Sequence, residues 1–210
     1  MSELFSIQLQ NRQQQGRDGV WLDLPTTTEQ VQAALRQIGI SSDNPQGLFI
    51  SGYFAEEEKR FAIPYNMVLA SNVDELNFLA SRLETLSTGE RAELNAALQA
   101  PQSELFSIGR ITDFPENVDY YVHLPDVRGP AQLGDYYLNR SGMVDMPEEW
   151  KGGIDTAQFG RYVAQQEQGV FTEYGYLVKS GDEWQKVHEG QPVPEEYRVL
   201  SFPVPEVMRD

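Results

Sequence analysis

The chain has no cysteine among its 210 residues. This absence excludes disulfide bonds, thiolate catalysis and cysteine-ligated zinc, and nothing in the composition suggests an oxidising compartment. No apolar run approaches the roughly 20 residues that a helix needs to span a bilayer. The N-terminal residues also lack the charged and apolar regions of a signal peptide. We therefore expect a cytoplasmic protein.

Histidine is also scarce, because the chain has only His123 and His188. Neither has the serine or carboxylate spacing of a catalytic triad, and no H-E-x-x-H, phosphate-loop or dinucleotide-binding pattern occurs. Glu148 and Glu149 are adjacent carboxylates, but adjacent side chains on a helix do not face each other. The sequence therefore predicts no catalytic residue, no cofactor and no metal site, and we do not expect an enzyme.

Basic residues are half as numerous as acidic ones, with 16 Lys and Arg against 32 Asp and Glu, so the net charge is -16. Residues 101–210 are the more anionic half, with 19 acids and 9 bases. A surface of one sign repels nucleic acid and membrane headgroups and steers oppositely charged molecules toward it. We therefore expect a basic protein partner, with no direct binding to nucleic acid or membrane.

Hydrophobic residues make up 40% of the chain, which argues against disorder. The alternation of apolar and polar residues over residues 4–9, followed by an apolar run over residues 20–24, predicts a β-hairpin. Residues 47–54 predict a third strand. The first part of the chain should therefore contain a small antiparallel sheet.

Helix-start signals follow this hairpin and recur further along the chain. They are Thr26 with Glu29, Ser71 or Asn72, and Ser87 with Glu90. The first helix should end at Gly39, since glycine is common just past a helix end. The other two helices should form a helical hairpin joined by Thr88-Gly89, with Pro101 marking a boundary.

A hexapeptide occurs twice, because residues 2–7 and residues 103–108 both read SELFSI. The segment WLDLP at residues 21–25 has a counterpart, YVHLP, at residues 121–125. We infer two copies of a hairpin, helix and strand unit, the second interrupted by an insertion over residues 146–168. Chance similarity between strand-forming segments is the alternative.

The insertion carries its own helix signals. Pro147 can start a short helix, and Asp155 with Gln158 can cap a second one. The expected apolar face of the second helix consists of Phe159, Tyr162 and Val163.

The end of the chain predicts more β-structure, with a hairpin over residues 174–178 and 183–188 and an edge strand over residues 197–202. The whole pattern predicts an α+β fold, in which an elongated chain of small subdomains has two β-hairpin/helix/strand units flanking a helical segment. The expected subdomains are 1–70 (α+β), 71–101 (helical) and 102–210 (α+β with inserted helices).

Carboxylates on helices can imitate phosphate groups, because side chains three or four positions apart have Cβ atoms about 5–6 Å apart. Duplex DNA carries one charge per about 1.7 Å, so a net charge of -16 corresponds to roughly 27 Å of duplex. This amount of charge suffices for DNA mimicry if the basic residues Arg140, Lys151 and Arg161 lie away from the acidic face. The alternative is that the charge only keeps the protein soluble.

Residues 133–177 combine aromatic residues, glycines and acids in an order that resembles the C-terminal region of the ArdA antirestriction family. The residues that carry the resemblance are Leu133-Gly134, Tyr136-Tyr137, Gly142, Pro147, Ile154-Asp155, Phe159-Gly160-Arg161, Gly169-Val170-Phe171-Thr172 and Tyr174-Gly175-Tyr176. The similarity covers roughly residues 4–180, and the tail after about Lys179 is unmatched.

The resemblance implies an inhibitor of type I restriction-modification enzymes that is encoded on mobile elements and acts as an elongated, acidic, DNA-mimicking homodimer in the DNA-binding groove of its target. The acids that would stand in for phosphates are Asp135, Asp145, Glu148, Glu149, Asp155 and Glu173. The dimer contact of the family is associated with its C-terminal domain, so the resemblance implies an interface at or near Leu133, Tyr136 and Tyr137, although ordinary helix packing also accounts for these two tyrosines. The alternative function is an acidic adaptor that binds another basic protein or defence complex.

Overall fold

The computed structural model describes residues 4–14, 18–41, 45–57, 60–101 and 103–200. Its strands are β1 (Phe5–Asn11), β2 (Val20–Leu24), β3 (Leu48–Phe54), β4 (Tyr121–Leu124), β5 (Val170–Thr172) and β6 (Gly175–Lys179). Its α-helices are α1 (Thr28–Gln37), α2 (Tyr65–Leu69), α3 (Val73–Glu84), α4 (Thr88–Gln99), α5 (Ile108–Thr112), α6 (Pro130–Asp135), α7 (Glu148–Lys151) and α8 (Thr156–Glu167). Helices and antiparallel sheets together confirm the predicted α+β class. Among the described helices, none has the length and apolar character needed to cross a membrane.

The chain forms two compact units from interleaved segments. Unit 1 combines residues 1–86, 106–115 and 186–210, and unit 2 combines residues 87–105 and 116–185. The consecutive helices α3 and α4 therefore belong to different units. The expected division into three subdomains stays a prediction.

Unit 1 contains a three-stranded antiparallel sheet in the order β2-β1-β3. The alternation predicted for the first strand is present, since Phe5, Ile7 and Leu9 are buried while the residues between them are half-buried. Ile7 is opposite Leu22 on one side and Tyr53 on the other. The predicted hairpin and third strand are therefore confirmed, and the buried face of β1 forms part of the core of unit 1.

Helix α1 begins one residue later than the sequence predicts. Thr27 is the N-cap: its side-chain oxygen accepts a hydrogen bond from the Gln30 backbone N–H, and the Gln30 side chain accepts one from the Thr27 N–H. Thr26 is buried, and its backbone N–H donates to Oδ1 of Asn77 at 2.7 Å. The pairing of Thr26 with Glu29 was therefore wrong, because a contact with α3 takes Thr26 out of the cap position. Gly39 follows the helix with φ +68°, as predicted.

The capping signals for the next two long helices are confirmed. Asn72 caps α3 and forms a capping box with Glu75, and Ser87 forms one with Glu90 at the start of α4. In each box a side chain accepts from the N3 backbone N–H while the N3 side chain accepts from the N-cap N–H, so two otherwise unsatisfied donors are paired. Thr88 and Gly89, which the sequence assigns to a turn, lie in the first turn of α4.

The two SELFSI hexapeptides adopt different structures. In the first copy Ser2 and Glu3 lie outside the described residues, and residues 5–7 belong to the central strand β1. In the second copy Ser107 caps α5, because its side-chain oxygen accepts from the Arg110 N–H at 3.2 Å. The prediction of a repeated structural unit is wrong here, because β1 has a neighbouring strand on each side whereas the second copy has none.

Unit 2 contains a second three-stranded antiparallel sheet, in the order β4-β6-β5. Strand β4 confirms the prediction made from residues 121–125, and the helix predicted after it is present as α6 and a π-helical turn over Tyr136–Arg140. The central strand is β6, the last strand among the described residues, whereas β1 is central in unit 1. The two sheets therefore differ in topology, which argues further against a simple repeat.

The predicted hairpin over residues 174–178 and 183–188 is wrong in its second half. Strand β6 pairs with β4 and β5, and residues 183–188 form no strand. The Gln185 N–H instead donates to Oδ1 of Asn117 at 2.7 Å, and the N–H groups of Val187 and His188 donate to Asp113. Side chains therefore satisfy the backbone donors that a strand would have paired.

The predicted edge strand near the C-terminus is also wrong in its described part. The backbone N–H groups of Val199 and Leu200 donate to Oδ1 of Asp74 at 2.8 and 2.7 Å. Residues 201–202 of that prediction lie outside the described residues.

Helices α6 and α8 approach each other closely through two glycines. A Cβ atom on Gly160 would lie 1.8 Å from the backbone oxygen of Pro130, and one on Gly134 would lie 1.9 Å from that of Thr156. Both helices of the pair therefore require glycine where their backbones meet. The predicted apolar face of α8 is wrong for Tyr162, which is 60% exposed, because Gly160 and Ala164 are the buried residues of this helix.

We predict that Gly160→Ala destabilises the protein by about 3 kcal/mol, because the added methyl group forces the two helix backbones apart. Gly89→Ala is the matched control: it also lies in a helix, but a Cβ atom there meets nothing within 4 Å. The control should be neutral or slightly stabilising. Urea unfolding at neutral pH measures both effects, and equal stability of the two variants would contradict the close-approach argument.

Candidate functional site

All six acids that the resemblance implies for target binding belong to unit 2. Asp135 ends α6, Asp145 lies in the following loop, Glu148 and Glu149 open α7, Asp155 caps α8, and Glu173 lies in the turn between β5 and β6. All are exposed except Asp135, which is half-buried.

Two of these acids are neutralised by neighbouring cations. Asp135 pairs with Arg140, whose Nη2 lies 2.7 Å from Oδ2, and it also accepts from the Asn139 amide at 2.8 Å. These hydrogen bonds, from Asn139 first and then Arg140, lower the pKa of the Asp135 carboxyl. Asp135 is therefore ionised, but Arg140 offsets its charge.

Glu148 makes the second neutralised pair. Its Oε1 lies 2.6 Å from Nζ of Lys151, one helical turn away. DNA mimicry was expected to need Arg140, Lys151 and Arg161 to lie away from the acidic face, but Arg140 and Lys151 pair with acids of that face. Glu148 and Lys151 meet because residues three positions apart face each other on an α-helix, and Asp135 and Arg140 meet across the π-helical turn of Tyr136–Arg140.

The remaining four acids have no ion pair in the part of the chain that the structure describes. They are Asp145, Glu149, Asp155 and Glu173. Asp155 uses one oxygen to accept from the Gln158 N–H at 2.9 Å at the start of α8. Glu173 accepts a hydrogen bond from the side-chain amide of Gln99. Both interactions orient the carboxylate without cancelling its charge.

One carboxylate that the sequence did not single out holds two tyrosine hydroxyls. Glu167, the last residue of α8, accepts hydrogen bonds from the hydroxyls of Tyr137 and Tyr176, the latter at 2.9 Å. Burial, followed by the bond to Glu167, raises the pKa of both phenols. The sequence does contain a sign of this position. Glu167 lies three positions after Ala164 and four after Val163, so it is on the face of the helix that packs against the core.

The residues implied for a dimer interface are split between core and surface. Leu133 is fully buried in a core cluster with Val127, Ala164 and Tyr176, so it supports the surface from beneath. Tyr136 and Tyr137 are half-buried and line a groove of about 390 Å³. The other lining residues are Val122, Leu124, Met143, Glu167, Val178, Lys179 and Ser180.

This groove carries exposed apolar side chains. Met143 is 75% exposed and Val122 is 46% exposed. The Tyr137 hydroxyl cannot rotate freely, because it is bonded to Glu167. The groove therefore combines exposed apolar side chains with the polar residues Glu167, Lys179 and Ser180.

A further acid of unit 2 is half-buried. Glu93, on α4, has a buried Oε1 atom that lacks a hydrogen-bond partner among the described residues. Burial raises the pKa of its carboxyl to about 8, with help from the negative charges of Glu90 and Asp119. Glu93 therefore holds a proton at neutral pH and adds little to the anionic surface.

We predict that Glu93→Gln removes a pH dependence of stability. Folded Glu93 keeps its proton up to about pH 8, whereas the unfolded chain releases it near pH 4.3, so the stability of the parent falls as pH rises between these values. Between pH 5 and pH 8.5 the free energy of unfolding of the unsubstituted protein should fall by about 1–2 kcal/mol more than that of Glu93→Gln, after allowance for solvent screening. Urea unfolding at both pH values measures this, with Glu149→Gln as an exposed control. A constant difference between parent and variant would contradict it.

The chain is similar to a known family of proteins. A family model described as "Antirestriction protein (ArdA)" matches residues 15–178, which include all six acids and the groove except Lys179 and Ser180. No curated protein matches the chain. The chain therefore belongs to the ArdA family of antirestriction proteins.

Proposed function

We propose that this protein inhibits type I restriction-modification enzymes as a DNA mimic, by placing the acids of unit 2 in their DNA-binding groove. Its membership of an antirestriction family supports this role. The observation that carries the proposal is the set of four exposed acids without an ion pair in the described chain, Asp145, Glu149, Asp155 and Glu173. Carboxylates without a local counter-charge attract the lysines and arginines of a DNA groove as phosphates do.

The ion-paired acids have a smaller role in this proposal. A cation of the target must compete with Arg140 for Asp135 and with Lys151 for Glu148. Asp135 is half-buried and the Lys151 side chain is only 14% exposed, so a target that displaces these pairs gains less than it does at an unpaired carboxylate. We therefore rank Asp145, Glu149, Asp155 and Glu173 above the paired acids.

The scaffold beneath the acids supports tight binding. Asp155 is fixed at the start of α8 by its capping bond, and α8 is held against α6 at Gly134 and Gly160. A carboxylate that is already oriented loses little conformational entropy when its target binds. The glycine contact thus connects the packing of unit 2 to the presentation of its charges.

We further propose that two copies associate through the groove at Tyr136 and Tyr137, with Leu133 supporting them from the core. The exposed Met143 and Val122 support this assignment, since apolar side chains of this size favour burial against a partner. A homodimer would also double the number of carboxylates presented to one target.

We expect the protein to displace DNA from a purified type I restriction-modification complex, with displacement weakening as salt rises, because counterion release drives such binding. We combine Asp145→Asn, Glu149→Gln and Asp155→Asn in one variant. The concentration of this variant that displaces half of the DNA should be at least about tenfold higher, if each lost contact is worth about 0.5–1 kcal/mol. Asparagine retains the cap of α8, so the fold should persist. Fluorescence anisotropy of labelled DNA measures displacement.

The matched control removes three exposed charges from unit 1, as Asp18→Asn, Glu29→Gln and Glu57→Gln. It changes the net charge equally, so an equal loss of displacement would show that total charge rather than the unit 2 acids matters. An acidic adaptor for some other basic protein would displace no DNA even at low salt.

For the dimer, we predict that Met143→Glu shifts the protein from dimer to monomer at micromolar concentration, because a buried unpaired carboxylate opposes association. Tyr162→Glu is the control, since Tyr162 is 60% exposed in the same unit and does not line the groove. Analytical ultracentrifugation measures both. If Tyr162→Glu dissociates the dimer and Met143→Glu does not, the interface lies at α8 rather than at the groove.

A further inference from the structure

Unit 1 contains a cavity that the proposed function does not use. Its volume is about 590 Å³, and it lies between the α2–α3 turn, the start of α5 and residues 188–193. Ligand pockets in proteins have volumes of about 300–1,000 Å³, so the size is that of a binding site. Residues 188–193 lie beyond the family match, which ends at residue 178.

The wall formed by the C-terminal residues is held rigidly. The carboxylate of Asp113 is fully buried and accepts hydrogen bonds from the backbone N–H groups of Val187, His188 and Glu189, at 3.3, 2.6 and 3.2 Å. The His188 ring also packs edge-on against Phe78, with centroids 4.9 Å apart. The cavity is therefore formed before any ligand arrives, which lowers the entropic cost of binding.

An aromatic ring at the cavity is both exposed and fixed. Phe106 is 63% exposed, and the guanidinium of the buried Arg110 lies 4.8 Å from its ring centroid. Arg110 is itself held by Glu189, whose carboxylate lies 3.0 Å from its Nε. Phe5 occupies the same position in the other SELFSI hexapeptide and is 3% exposed. The second copy of the hexapeptide thus presents to solvent the residue that the first copy buries.

The polar groups of the cavity indicate the charge of its ligand. The hydroxyls of Ser71 and Thr112 donate to the carbonyl oxygens of Met67 and Ile108, so they are already satisfied. Glu75 is a half-buried carboxylate that has no ion pair among the described residues. The other polar lining residues are Ser107, His188, Gln191 and Glu189, whose carboxylate is already paired with Arg110. The apolar lining residues are Met67, Ala70, Phe78, Phe106, Ile108, Pro192 and Val193.

We propose that this cavity is a docking site for a peptide segment of a protein partner, in which an aliphatic or aromatic side chain stands next to a lysine or arginine. The apolar side chain packs against Phe106 and Phe78, and the cation approaches Glu75. The net charge of -16 favours a basic segment. The exposed ring of Phe106 enlarges the apolar surface at the cavity, which suits a chain-like ligand better than a small molecule.

The test uses the full chain and fluorescein-labelled hexapeptides Ala-Lys-X-X-Arg-Ala, where X is Leu, Ile, Phe or Trp, with binding measured by fluorescence anisotropy. We expect saturable binding that Phe106→Ser weakens at least about tenfold, because the fixed aromatic ring is lost. Ala70→Trp should weaken it similarly, since Ala70 is an exposed lining residue and the larger ring fills the space.

Glu75→Gln tests the charge preference without removing the capping box of α3, because glutamine also serves at that position. It should reduce the preference for the basic peptides over peptides in which Gln replaces Lys and Arg. Ala131→Trp, at an exposed alanine of unit 2, is the matched control and should leave binding unchanged. Thermal unfolding of each variant confirms that the fold persists.

Four results would overturn the proposal. They are the absence of binding by any peptide of the panel, equal binding to the parent and to Phe106→Ser, binding that occurs only after residues 201–210 are removed, and loss of the dimer in Phe106→Ser. The third would assign the cavity to the chain's own C-terminal residues, and the fourth would assign it to a second copy of the chain.

Discussion

Unit 2 depends on the contact between α6 and α8, where Gly134 and Gly160 let two helix backbones approach within a distance that any Cβ atom would prevent. This contact brings Ala164 into the core beside Leu133 and Tyr176, and it sets Glu167 at the end of α8 beneath two tyrosine hydroxyls. Asp135 is the last residue of α6, and Asp155 is the N-cap of α8. A backbone contact free of side chains thus determines where the surface charges lie.

The acids of this protein serve different purposes according to burial. Asp113 and Asp74 accept backbone N–H groups and hold residues 187–200 against the rest of unit 1, while Glu167 positions Tyr137 and Glu93 holds a proton. Arg140 and Lys151 neutralise two more acids at the surface. The net charge of -16 already counts Arg140 and Lys151, so it does not show where uncancelled charge lies, and the unpaired carboxylates define the anionic surface better than the net charge does.

Identical residues acquire different roles because their partners come from elsewhere in the chain. In one SELFSI hexapeptide Phe5 is buried in a strand between two neighbours, and in the other Phe106 is exposed beside Arg110. Hydrogen-bond partners and burial are supplied by segments distant in sequence, so a local identity could not distinguish the two outcomes. The repeat hypothesis failed for this reason, although the strand and helix signals around it were correct.

The sequence by itself determined the features whose causes lie within a few residues. The caps at Asn72, Ser87 and Asp155, the alternation of β1, the α+β class and the resemblance to the ArdA family were all readable, because caps and periodicity act over one helical turn or a few strand positions. Tertiary structure alone decided that Thr27 caps α1, that residues 183–188 bond to Asn117 and Asp113 instead of forming a strand, and that Leu133 belongs to the core. Each of these outcomes depends on a partner between 30 and 75 positions away, as with the Thr26 contact to Asn77 and the His188 contact to Asp113, and no local pattern identifies such a partner.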